Sequence, residues 1–107
     1  MDLINKPLKI RSKKLRDSAR DQACTLRLPG ICNGDWQTTV LAHVNFGGHG
    51  MATKESDLSA CYACSSCHDA IDGRIPWSRD DSVVYAAVLR TQHKMISQGL
   101  IVVEGIK

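Results

Sequence analysis

"ACYACSSCHDAIDGR", residues 60–74, decides how the rest of the chain is read. Cys61, Cys64 and Cys67 fall at three-residue intervals, His68 follows directly, and Asp72 lies four positions further on. Cys64-x-x-Cys67 is half of a tetrahedral thiolate site, because a tight turn lets two such sulfurs face one zinc ion. The other half must come from elsewhere, and Cys24 and Cys32 are the remaining cysteines, one on each side of the Pro29-Gly30 turn. Four thiolates from two loops would tie the N-terminal part of the chain to the start of a short helix. Buried apolar cysteines without metal are the competing reading. Cys61 could replace Cys24 or Cys32, but on a strand it is expected to pack inward as a small hydrophobe.

Working outward, "SSCHDAID" is expected to be helical, with Ser65 or Ser66 as N-cap and Gly73 as its end. His68 and Asp72 then share one face a turn apart. They form either a two-ligand metal platform or a surface histidine held by a carboxylate. "TTVLAHVNF" (38–46), rich in β-branched residues and free of Pro and Gly, is the best strand, and "DLSACYA" is a second. If the two strands and the helix fold together, His43 would face the His68/Asp72 surface. A histidine on a rigid strand opposite a helix-borne metal is the arrangement that phosphodiester hydrolysis needs. The imidazole takes a proton from water, while the metal stabilises charge on the phosphate and the leaving oxygen.

Elsewhere, "SKKLRDSARDQA" (12–23) is expected to be a short helix capped by Ser12. "WSRDDSVVYAAVLRTQHKMISQG" opens on a cap-like Ser78-x-x-Asp81 and closes on Gly99. Its Val84, Ala87, Val88, Thr91 and Met95 share a face that would cover the core. "LIVVEGIK" reads as a strand or an extended tail. His49 lies in a glycine-flanked loop, and His93 falls on the solvent side of the long helix. Trp36 and Trp77 can stack on bases, but in a chain with five aromatic residues they are expected in the core.

The 107 residues fit one domain with an arm, residues 1–20 being the arm and 21–107 the domain. The formal charge of +3 is unevenly spread: residues 1–20 carry seven Lys or Arg against two Asp, and the rest is slightly acidic. A basic arm can hold a phosphate backbone, or can be a solvated tail. No segment is long and apolar enough to span a membrane, and no apolar run near Met1 acts as a signal peptide. The chain is therefore expected in the cytoplasm, where clustered thiols stay reduced and bind metal.

"LAHVNFGGHGMATKESDLSACYACSSCHDAID" resembles the ββα-metal core of HNH (His-Me finger) endonucleases. It is closer to the YbcO-like nuclease family of lambdoid prophages, and more distantly similar to the phage RecA-dependent nuclease Ref. The ordered signature is a cysteine pair around "LPGICNG", an "AH" strand end, a glycine loop with K-x-x-D, and C-x-x-CH-x-x-x-D, over about residues 20–92. The resemblance implies a small α+β fold with a structural four-cysteine zinc site and a C-terminal covering helix. It also implies His43 as general base, His68 and Asp72 as ligands of a catalytic cation such as Mg or Mn, and Cys24, Cys32, Cys64 and Cys67 as zinc ligands. Lys54 and Asp57 match the K-x-x-D, where they would orient the active-site histidine or contact phosphate. Arg74 and Arg79, after the helix, would reach the DNA backbone. DNA is the implied partner, with a recombination protein as a second.

Two departures stand out. Many HNH enzymes place a further metal ligand just before the catalytic histidine, where this chain has Ala42, and many end the helix with His rather than Asp72. The middle Asn of the motif has no clear counterpart. The alternative function is a non-catalytic, zinc-stabilised DNA-binding module; a protein-interaction adaptor without nucleic acid is a third.

Overall fold

The computed structural model describes residues 10–44 and 56–105. Lys54, His49 and the glycine loop lie outside the described residues. At the centre, β1 (Val40–His43) pairs antiparallel with β2 (Ala60–Ala63), in a register running from Val40 opposite Ala63 to His43 opposite Ala60. The Val44 amide extends the ladder to the Ser59 carbonyl at 2.8 Å. β1 starts later than the β-branched run suggests, because Asp35 caps a 3-10 turn over Trp36–Thr38 by accepting the Gln37 amide. Trp36 therefore sits on that turn, 56% exposed, and is not a core residue. Trp77 is half-buried against the core.

Side chains alternate across a strand, and here the alternation separates two apolar clusters. Ala42, Val44, Cys61 and Ala63 face one, with Leu26, Leu28, Cys67, Ala70, Val84, Ala87 and Val88. Leu41, Ala60 and Tyr62 face the other, with Leu15, Ala19 and Met95. β2 is buried at all four positions because both its faces are covered.

The helices are α1 (Lys13–Asp17), α2 (Ser65–Ile71) and α3 (Asp81–Ser97). Ser12 caps α1 as expected, its hydroxyl accepting the Leu15 amide. The helix stops well short of Ala23, and Asp21 sits in the left-handed region at φ 60°. α2 is capped by Cys64, not by Ser65 or Ser66: its sulfur accepts the Cys67 amide at 3.4 Å. α3 is capped by Asp80, not Ser78, because the Asp80 carboxylate reaches the Ser82 amide. The expected face of α3 is the buried one. Residues 100–105 hold no strand.

α3 feeds both clusters because it runs along the outer edge of β2. There the Tyr62 amide donates to the Thr91 hydroxyl at 3.0 Å, which in turn donates to the Ala87 carbonyl at 2.9 Å. The Thr25 amide donates to the Tyr62 carbonyl at 2.8 Å, and the Thr25 and Thr91 hydroxyls lie 2.8 Å apart. The outward amide and carbonyl of Tyr62 are thus satisfied without a third strand, as buried backbone groups must be.

Candidate metal centres and active site

The sulfurs of Cys24, Cys32, Cys64 and Cys67 lie within 4.8 Å of one another. Two turns bring them there. In the first loop the Cys32 and Ile31 amides both donate to the Leu28 carbonyl, and Gly30 takes φ +75°. The Arg27 amide donates to the Cys24 sulfur at 3.3 Å, with Arg27 itself at φ 45°. The second turn is the Cys64 cap of α2. Asn33 braces the two together by donating to the Ser65 and Ser66 hydroxyls.

A tetrahedral zinc ion with Zn–S near 2.3 Å needs sulfurs about 3.8 Å apart, and Cys64 and Cys32 are separated by 3.8 Å. Three of these thiols are also shifted from their ordinary range. Cys24 is brought down to about 4, chiefly by a hydrogen bond from the Cys67 thiol, with further help from backbone amides. Cys67 is raised, first by giving that bond and then by burial; Cys32 is raised by burial. One thiolate forms and its neighbours resist, a conflict that a bound dication removes. The donor set fits a metal. Cys61 stands apart: it is fully buried and pushed up to about 12 by that burial, an inert core thiol.

At the end of β1, His43 Nε2 lies 2.7 Å from Asp57 Oδ1. Asp57 is only 2% exposed, and its other oxygen accepts the Ser12 amide at 2.6 Å and the Arg16 guanidinium at 3.0 Å. The Asp57 amide donates to the Ile10 carbonyl at 2.7 Å. Burial alone would raise this carboxyl, but the Ser12 amide, His43 and Arg16 outweigh it and hold it below the usual carboxylate range. Asp57 is therefore a fixed anion. Of the two roles the K-x-x-D motif leaves open, its geometry is that of orienting the histidine.

A turn apart on α2, His68 Nε2 lies 3.1 Å from Asp72 Oδ2. Arg74 closes on the same patch, with Nη1 3.0 Å from Asp69 Oδ1 and Nη2 3.5 Å from Asp72 Oδ2. Arg79 Nε meets Asp81 Oδ1 at 2.7 Å. Among the described residues no hydrogen bond or ion pair joins His43 to His68 or Asp72, so the structure contains two separate histidine–carboxylate pairs. Strand alternation turns His43 away from Ala42, which is 1% exposed in the cluster that holds Cys67 and Ala70 of α2. The expected facing of His43 and the His68/Asp72 surface is therefore not seen as a contact among the described residues. The structure adds Ser12 and Arg16 to the site. Sequence gave no sign of them, because one contributes a backbone amide and the other reads as one more basic residue of the arm.

Fold and site together define a small α+β domain in which a four-thiol centre ties two loops beside a histidine–carboxylate pair. Residues 13–100 match the family described as "Putative nuclease YbcO", and the chain belongs to that family. It is 52% identical over 61 residues to "Putative nuclease YbcO" of Escherichia coli (strain K12) and, equally, to "Putative nuclease ybcO" of Enterobacteria phage 82. Each alignment covers 56% of this chain and 64% of the relative, so the match spans somewhat less than two thirds of those proteins. A solved structure described as "Structure of a putative bacteriophage protein from Escherichia coli str. K-12 substr. MG1655" superposes with TM-score 0.64 at 38% identity. That superposition covers 80% of this chain and all of the other. The YbcO-like resemblance of the motifs is the family found.

Proposed function

We propose that the chain is a metal-dependent HNH-type endonuclease that hydrolyses DNA phosphodiester bonds. The observation that carries the reading is the 2.7 Å contact between His43 and the buried carboxylate of Asp57. With Nε2–H donated to Asp57, the imidazole keeps its lone pair on Nδ1. That nitrogen takes a proton from water as the oxygen attacks phosphorus, and the bond to the leaving deoxyribose oxygen breaks. Asp57, held ionised, fixes the tautomer and stabilises the imidazolium that forms.

His68 Nε2 and Asp72 Oδ2 would hold the catalytic cation, Mg or Mn. Two adjacent ligands of an octahedral ion at about 2.1 Å sit about 3.0 Å apart, which fits the observed 3.1 Å. Such a cation neutralises charge on the phosphate and the leaving oxygen. The four-cysteine zinc site is structural in this reading. Lys54, Arg74, Arg79 and the basic residues of the N-terminal arm would contact the DNA backbone. Action in the cytoplasm beside a recombination protein belongs to the same reading. No helix among the described residues is long and apolar enough to cross a membrane.

One observation favours the second reading, a non-catalytic zinc-stabilised DNA-binding module. Ala42 offers no third ligand, and it is buried in the core. Cleavage of supercoiled and single-stranded DNA in Mg or Mn, with His43→Ala alongside, separates the two. Metal-dependent cutting lost in the variant supports the enzyme. Salt-sensitive DNA binding without cutting, in the zinc-loaded chain, sinks it.

A further inference from the structure

Arg74, three residues beyond the end of α2, makes contacts that neither metal site explains. Gly73, at φ +78°, ends the helix and turns the chain back, so that the Arg74 amide donates to the Asp69 carbonyl at 2.8 Å. The guanidinium then lies over the end of α2. One arm is on Asp69 Oδ1, and the other is 3.5 Å from Asp72 Oδ2, the same oxygen that His68 Nε2 meets at 3.1 Å. A fixed positive charge stands beside the oxygen to which a divalent cation would bind.

We propose that Arg74 is a displaceable counter-ion of the His68–Asp72 pair, which passes its guanidinium from Asp72 to a DNA phosphate when a divalent cation binds. This rests on the proposed metal site. A dication on Asp72 Oδ2 would lie within a few ångströms of the guanidinium, and the two charges repel. At 62% side-chain exposure Arg74 can swing away at little cost, since exposed ion pairs contribute weakly. Its planar fork matches two phosphate oxygens as well as it matches carboxylates. Without DNA, Arg74 therefore opposes metal binding. With DNA it has a new partner and the opposition disappears, so metal and DNA each raise affinity for the other, as linkage requires.

The test is Mn binding to the intact, zinc-loaded chain by paramagnetic resonance titration, in a His43→Ala background so that DNA is not consumed. The parent is compared with Arg74→Ala and Arg74→Lys, each with and without a short duplex. Without DNA, Arg74→Ala should bind Mn about three- to fivefold more tightly, while Arg74→Lys stays near the parent because it keeps the charge. The duplex should tighten Mn binding in both, because its phosphate also meets the cation, and by a larger factor in the parent than in Arg74→Ala. Equal Mn affinities for parent and Arg74→Ala without DNA, or equal responses to the duplex, would overturn the role of Arg74 while leaving the metal site standing. Mn binding unaffected by His68→Ala would remove the metal site and the proposal together.

Discussion

Ser12 and Asp57, 45 positions apart, are joined by a 2.6 Å hydrogen bond from a backbone amide to a carboxylate oxygen. That oxygen also takes the Arg16 guanidinium, and the opposite one holds His43. A charge-assisted bond from a backbone amide is stronger than a neutral one and is kept by any residue at position 12 except proline. Asp57 is thereby fixed from the N-terminal side of the chain, and His43 is fixed through Asp57.

Asp57→Asn keeps the shape and removes the charge. In the proposed nuclease it should lower the cleavage rate at least about tenfold, because an amide no longer stabilises the imidazolium. Single-turnover cleavage checks this, with circular dichroism confirming the fold.

The same carboxylate sets a pH signature. Its folded pKa lies below the unfolded value, near 3.9. Its stabilising contribution is therefore complete above about pH 4 and lost as pH falls through the lower folded value. Urea midpoints measured from pH 7 to pH 2.5 should fall at the acid end, and less steeply in Asp57→Asn.

Arg16→Ala leaves Asp57 its amide and its histidine, and Arg16 is itself 41% exposed. The expected loss is about 1 kcal/mol, smaller at high salt, read from urea unfolding.

Thr91→Val removes the hydroxyl that accepts the buried Tyr62 amide and meets Thr25. An orphaned buried donor costs about 1–3 kcal/mol. A change within a few tenths of a kilocalorie would mean that the edge of β2 does not depend on Thr91.

Zinc analysis should return about one equivalent per chain, and a strong chelator should lower the melting temperature. Cys67→Ser should do the same without chelator. Cys61→Ala, whose sulfur lies outside the four-thiol group, should keep the zinc.

The thiol centre and the ribbon were legible because each has a spacing: C-x-x-C for one, and β-branched density for the other. The long helix was legible through the face that carries Val84 to Met95. The Ser12 cap of α1 was legible, but the caps of the other two helices were not: Cys64 caps α2 with a sulfur in place of the neighbouring serines, and Asp80 caps α3 in place of Ser78. Ala42 reads as a missing ligand until strand periodicity is applied: next to an outward His43, position 42 must face the core. Trp36 was expected inside on composition, but the Asp35-capped turn holds it at the surface. Lys54 falls outside the described residues, and its role stays with the proposal.

The Ser12 amide also bears on where the chain can be cut. A fragment starting at residue 21 would keep His43, Asp57, His68, Asp72 and all four clustered cysteines. It would still lose the Ser12 and Arg16 bonds to Asp57, and with them Leu15 and Ala19 from the Tyr62 cluster. A shortest working unit chosen by its reactive side chains would start too late. The boundary belongs ahead of Ile10, whose carbonyl receives the Asp57 amide.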